Sequence, residues 1–241
     1  MDAGGPPKDI PLEKRIIFAL DLKSPDNAQD WVHRLGSRIG FFKVGLELFL
    51  AGGFSIVDWI IDQGHEVMLD LKFFDVPRTV YSAVRQTADK NVSLITVHGN
   101  DAILEAAVKA GGPERILAVT ALTSLDQGDL SSLGFSCTPE ELVLSRAKRA
   151  LQIGCKGVVS SGLEAPGIRA SLGERLFIVA PGVRPISNTE TDDQKRTVDP
   201  GLAFRNGCDH IVVGRPIRNS SAPLDTVARM QETIRDVLLG N

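Results

Sequence analysis

Residues 67–79 read Val-Met-Leu-Asp70-Leu-Lys72-Phe-Phe-Asp75-Val76-Pro77-Arg-Thr79. The run begins apolar, carries charge at alternate positions, and breaks at a proline. Successive side chains of a strand point to opposite faces, so Asp70 and Lys72 share one face while Leu69 and Leu71 share the other. The leucines suit a layer of covering helices, and the charges suit the strand's inner face. Pro77 fits the first turn of a helix, and from spacing alone Asp75 reads as the cap of that helix. The local unit is one strand running straight into one helix.

The unit recurs along the chain. Short apolar runs, most of them rich in β-branched residues, start near Ile16, Phe41, Val67, Leu94, Ile116, Val158, Phe177 and Ile211. They are near-continuous rather than alternating, as parallel strands covered on both faces require, and most gaps between them carry helical spacing. Residues 138–141, Thr-Pro-Glu-Glu, form a capping box, and residues 222–239 place Leu224, Val227, Ile234, Val237 and Leu238 on one stripe before Gly240. Trp31 and Trp59 fall in helical segments and read as packing. Eight β-then-α units predict an α/β fold, a (β/α)8 TIM barrel forming a single domain over residues 12–241. Residues 1–11, with Gly4-Gly-Pro-Pro7, are expected to be a flexible tail.

An open doubly wound sheet would announce itself by a glycine-rich turn after the first strand. That turn here reads Asp21-Leu-Lys-Ser-Pro25, and neither a G-x-G-x-x-G run nor a P-loop occurs anywhere. Two connections, residues 124–138 and 182–198, are longer than the rest, which in a barrel belongs to the active-site face.

Length and charge narrow the class. A chain of 241 residues matches one barrel of about 250. The 27 Lys and Arg against 30 Asp and Glu leave a net charge of −3, without any basic cluster of the kind that binds nucleic acid or an anionic membrane. No run reaches the roughly 18 apolar residues of a membrane span, and no secretory leader is visible. Three widely spaced cysteines, Cys137, Cys155 and Cys208, fit neither a disulfide framework nor a metal site, and are expected in a reducing cytoplasm. His33, His65 and His210 show no metal-ligand spacing, so no metal is expected.

Barrel active sites lie at the C-terminal strand ends. Alternation there turns Asp70 and Lys72 of the third strand, Lys43 of the second, between Phe42 and Val44, and Asp21 after the first toward the barrel mouth. Such a group also suits a structural ion-pair network, yet buried charges are often replaceable by apolar side chains without loss of stability, and their position at strand ends favours use. His98, at another strand end, reads equally as a hydrogen-bonded structural residue and is left unassigned. After the seventh and eighth strands, the usual phosphate site of a barrel, Gly214 allows close backbone approach and Arg215 offers a charged fork. Pro181-Gly-Val-Arg184 opens the long loop that carries Gln194, and this loop is placed to cover the same anion. Capping by Arg215 and a merely solvated loop are the alternatives.

The run 70–79 resembles the D-x-K-x-x-D-[I/V]-P-x-T signature of the orotidine 5′-phosphate decarboxylase family. The resemblance spans nearly the whole chain: FALD at Asp21, FKVGLELF at Lys43, ALTS at Thr123, PGVRP at Arg184, DDQKR at Gln194 and VGRPI at Arg215. It implies a (β/α)8 homodimer that converts orotidine monophosphate to uridine monophosphate and carbon dioxide without cofactor or metal. By matching motif, Lys43, Asp70, Lys72 and Asp75 are implied to form a catalytic charge array, with Asp75, Val76 and Thr79 supplied by the partner subunit. This replaces the capping role that spacing alone suggests for Asp75. Asp21, Lys43 and Thr79 are implied at the ribose, Thr123 and Ser124 at the pyrimidine, and Pro181, Arg184, Gln194, Gly214 and Arg215 around the phosphate. Val76 stands where isoleucine is common, a small change between β-branched apolar residues.

Two other functions remain in view. A magnesium-dependent sugar-phosphate decarboxylase or aldolase of the same barrel group shares D-x-K-x-x-D but lacks the Pro-x-Thr continuation, against which Pro77 and Thr79 count. A non-catalytic phosphate-ligand binding protein is the other, since a barrel alone does not imply activity.

Overall fold

The computed structural model of the chain describes residues 8–184 and 197–240. Its apolar runs pair in parallel and in chain order, and the last closes on the first to complete a barrel of eight strands. The elements follow as α1 (Leu12–Arg15), β1 (Ile16–Ala19), α2 (Pro25–Leu35), β2 (Phe41–Gly45), α3 (Leu46–Asp62), β3 (Glu66–Phe73), α4 (Pro77–Arg85), β4 (Leu94–His98) and α5 (Asp101–Gly111). The second half runs β5 (Ile116–Val119), α6 (Gln127–Ser132), α7 (Pro139–Ile153), β6 (Gly157–Val159), α8 (Ala165–Leu172), β7 (Phe177–Ala180), α9 (Pro200–Arg205), β8 (His210–Val213), α10 (Arg215–Arg218) and α11 (Pro223–Leu239). The strands start within one residue of the positions read from the sequence.

Two apolar layers form the core. Inside the barrel sit Ile17, Ala19, Phe41, Met68, Leu94, Leu117, Val119, Val159, Val179 and Val212. Their sequence neighbours, among them Ile16, Phe18, Phe42, Val67 and Leu69, face outward and pack under the helices. This is the two-residue period of the strand, applied to a sheet buried on both faces. Because Phe41 and Met68 point inward, Lys43 and Asp70 do too.

The capping box at Thr138 and Glu141 is formed, and Gly240 ends α11 in the left-handed conformation. The long connection after β5 contains a short helix, α6, with its own capping box at Asp126 and Asp129. Lys8, in the stretch expected to be a tail, donates to Leu176 O at 2.6 Å and to Asp209 Oδ2 at 2.8 Å. Asp209 also accepts from Arg169 and from the backbone N–H of Ile178, both at 2.7 Å. Among the described residues, no helix is long and apolar enough to cross a membrane.

One strand departs from regularity. β3 pairs with β4 through Leu69↔Ile95, then through Phe73↔Val97, so four steps on β3 match two on β4. The surplus is absorbed where Lys72 takes a φ of 47°, a left-handed conformation that side-chain-bearing residues seldom adopt.

Candidate active site

Charged groups at the C-terminal ends of β1, β2 and β3 join in an unbroken series. Lys43 Nζ donates to Asp21 Oδ1 at 2.8 Å and lies 3.4 Å from Asp70 Oδ2. Lys72 Nζ in turn donates to both oxygens of Asp70, at 2.9 and 3.0 Å. Strand parity brings Lys43 and Asp70 inward, and the left-handed turn of the backbone at Lys72 accompanies the close approach of its ammonium to Asp70.

The electrostatics follow from burial and pairing. Desolvation alone would push the Lys43 ammonium toward neutrality, but the carboxylates of Asp70 and Asp21 outweigh it and hold its pKa above the ordinary lysine value. Desolvation would likewise raise Asp70, yet the charges of Lys43 and Lys72 and hydrogen bonds from Lys72 and Thr96 hold it below the usual carboxylate range. The Lys43 and Asp70 side chains are only 9% and 10% exposed, whereas Lys72 is 35% exposed and Asp21 53%. Asp21 and Lys72, at the two ends of the series, are therefore its members that reach into open space, and Lys72 is the accessible ammonium.

That space is a cavity of about 890 Å³ lined by Asp21, Lys43, Asp70 and Lys72 on one side. Thr123, Pro181, Arg184, Gly214 and Arg215 line it as well. The array and the two arginines thus line one chamber.

Other expected residues lie elsewhere. Asp75, Val76 and Thr79 are exposed, and none of them lines the cavity of this single chain. The spacing-based capping role of Asp75 is not what the structure has. The N-cap of α4 is Val76, and Asp75 stands one residue outside it, accepting at 2.6 Å from the Val76 N–H. Ser124 follows Thr123 without lining the cavity. Gln194 lies outside the described residues.

Sequence reasoning missed four contributors. Glu47 and Arg218 line the cavity, and an Arg218 guanidinium N–H donates to the backbone carbonyl of Asp21. Gly45 leaves room beside the array: a Cβ there would stand 3.0 Å from Lys43 Nζ and 3.2 Å from Asp21 Oδ1. Thr96, fully buried on β4, bonds both to Asp70 and to the backbone of Lys72. Its inward parity, shared with Leu94, was the available signal. His98 packs its ring against Phe74 at 4.7 Å, and burial, then Arg146 and Lys72, hold its pKa below the ordinary value. Among the described residues no group of three or more His, Cys, Asp or Glu is arranged around a metal position.

The chain has relatives among known proteins. A family model described as orotidine 5′-phosphate decarboxylase / HUMPS matches residues 14–230. The chain is 55% identical over 231 residues to an orotidine 5′-phosphate decarboxylase of Methylococcus capsulatus, covering 95% of this chain and 96% of the relative. It is 43% identical over 238 residues to one from Xanthomonas euvesicatoria, covering 98% of each. The crystal structure of orotidine 5′-phosphate decarboxylase from Lactobacillus acidophilus matches with a TM-score of 0.80 at 31% identity, over 92% of this chain and 99% of that one.

Proposed function

The chain belongs to the orotidine 5′-phosphate decarboxylase / HUMPS family, and we propose that it converts orotidine 5′-monophosphate to uridine 5′-monophosphate and carbon dioxide, the last step of UMP biosynthesis. The observation that carries this reading is the series Asp21–Lys43–Asp70–Lys72, which ends at an accessible ammonium in the same cavity as Arg184 and Arg215. The family model names HUMPS as well, so membership alone does not select the reaction. The names of the relatives, at 55% and 43% identity over nearly the full length, favour the decarboxylase.

The chemistry asks for what these residues supply. Loss of carbon dioxide from C6 of the pyrimidine leaves an electron pair on a vinylic carbon, with no adjacent carbonyl to accept it. An ammonium fixed beforehand beside C6 stabilises that pair and then delivers a proton to it. Lys72 takes this role, and Asp70, bonded to it through both carboxylate oxygens, keeps it aimed. Lys43 holds Asp70 from the other side and, with Asp21, binds the ribose hydroxyls. Thr123 meets the pyrimidine, and Ser124, which does not line the cavity of the single chain, is assigned there on the resemblance alone. Pro181, Arg184, Gly214 and Arg215 receive the phosphate, and Gln194 is assigned to the same anion on the resemblance alone. Binding at the phosphate supplies free energy for orienting the reacting end.

A second copy of the chain completes the site with Asp75, Val76 and Thr79. Leu46 and Leu50 at the start of α3 are 57% and 84% exposed, and Phe74 and Val76 at the β3–α4 corner are each 63% exposed, apolar surface that supports burial against a partner. Three free cysteines support a reducing compartment, the cytoplasm.

The test is ultraviolet monitoring of purified, chelator-treated protein with orotidine monophosphate, with the product confirmed by chromatography. Conversion to uridine monophosphate is expected. An inert, folded dimer would overturn the assignment and turn attention to magnesium-dependent sugar phosphates.

A further inference from the structure

We propose that Thr96 is a positioning residue for the decarboxylation, fixing Lys72 and Asp70 through one hydroxyl. The inference rests on the reaction proposed above. Thr96 Oγ1 accepts the backbone N–H of Lys72 at 2.9 Å and stands 3.0 Å from Asp70 Oδ1. A hydroxyl has a single proton, and Asp70 as a carboxylate has none to give. The Thr96 proton therefore goes to Asp70, while an Oγ1 lone pair takes the Lys72 N–H. The two bonds define the hydroxyl's orientation and leave no competing arrangement with both partners satisfied.

The place of this residue in the sheet gives the contact its purpose. Regular pairing of β3 with β4 stops after Leu69↔Ile95 and resumes only at Phe73↔Val97. Between these points Lys72 holds a φ of 47°, and a backbone conformation so seldom populated persists only when its surroundings enforce it. Thr96 lies on β4 inside the gap and supplies the acceptor that the interrupted ladder does not. Its other bond anchors Asp70, whose oxygens hold Lys72 Nζ at 2.9 and 3.0 Å. One side chain thus constrains Lys72 at its backbone and, through Asp70, at its ammonium. Thr96 is 0% exposed, so it acts through these two residues and not by touching substrate.

The experiment compares Thr96→Val, which keeps shape and removes the hydroxyl, with Thr96→Ser, which keeps the hydroxyl. In Thr96→Val, kcat is expected to fall about ten- to a hundredfold with KM within about threefold, as for loss of a charge-assisted contact felt at the transition state. Thr96→Ser restores most of the rate. Should the valine variant not fold, Thr96→Ala against Thr96→Ser carries the same contrast, since the two differ only in the hydroxyl. A folded variant lacking the hydroxyl that retains wild-type kcat, or a serine variant as slow as alanine, overturns the proposal. Amide hydrogen exchange at Lys72 reads the contact without turnover: protection in the wild type and its loss in the hydroxyl-free variant are expected, and no difference counts against Thr96. A wild type inert toward orotidine monophosphate but protected at Lys72 overturns the reaction and leaves the positioning contact standing.

Discussion

Gly45 stands beside Lys43 so closely that a methyl group on it would lie 3.0 Å from the ammonium, inside normal contact. Lys43 has nowhere convenient to retreat, since Asp21 holds it at 2.8 Å and Asp70 at 3.4 Å. Gly45 has a φ of −95°, which any residue adopts, so its substitution introduces crowding and not backbone strain. Gly45→Ala is expected to fold, with a melting temperature near that of the wild type, and to lose about tenfold or more in kcat/KM through a displaced ammonium. Steady-state kinetics beside a thermal melt checks this, and unchanged kinetics would show that the array tolerates the shift.

Removing the accessible ammonium tests the proton donor directly. Lys72→Ala is expected to remain folded, because the side chain is 35% exposed. Turnover should fall by at least about a hundredfold, the lower range for a positioned general acid. Substantial residual activity would remove Lys72 from that role.

Arg215 tests the anion end. Arg215→Ala is expected to raise KM for orotidine monophosphate by about ten- to a hundredfold, as a charge-assisted hydrogen bond is lost. Binding of the corresponding nucleoside, which has no phosphate, should change little. Equal weakening for both ligands would place Arg215 outside the phosphate site.

Shared sites are tested by mixing subunits. Asp75→Asn and Lys72→Ala proteins, each inactive alone, are expected to regain part of the activity when combined, because one site of a mixed dimer carries neither substitution. The absence of rescue in dimers shown to be mixed would confine Asp75 to its own subunit.

Stability should fall on mild acidification. His65, His98 and His210 all have pKa values below the ordinary 6.5, in each case first through burial. His210 is wedged between the rings of Phe41 and Phe177 and bonded through Nδ1 to Lys14 O at 2.8 Å. Below 6.5 the unfolded chain takes up protons that the folded one resists, so it binds more of them and stability declines with pH. The contribution is complete above 6.5 and is lost as pH falls through the lower folded values. Melting temperatures from pH 7.5 to 5 should show this loss, with a flatter profile in His210→Asn. Identical slopes would exclude His210 as a contributor.

Most of the barrel was legible because a sheet covered on both faces imposes a rule that each residue obeys separately. Parity at Phe41 and Met68 sufficed to send Lys43 and Asp70 inward. The rule fails where the backbone leaves the extended region, and a left-handed lysine has no compositional mark, so the break at Lys72 and its support from Thr96 stayed hidden. Gly45 was missed for a different reason: its neighbours Lys43 and Asp21 crowd it only once two strands are side by side. The capping role of Asp75 rested on its distance from Pro77, and the helix begins one residue too late for it. Glu47 and Arg218 sit beyond strand ends, where no periodicity constrains direction.

The order of the strands bears on how the protein is made. Seven of the eight pairings join strands that follow one another in the chain, and only β1 with β8 joins its two ends. A nascent chain can build the sheet as it emerges but cannot shut it until β8 has left the ribosome. Until then β1 presents an unpaired edge, of the kind that invites association with other chains. Lys8 reaches across this seam to Asp209, the residue just before β8. The last strand to appear thus brings with it the carboxylate that the chain's first-made end grips, so closing the barrel also ties its two ends together.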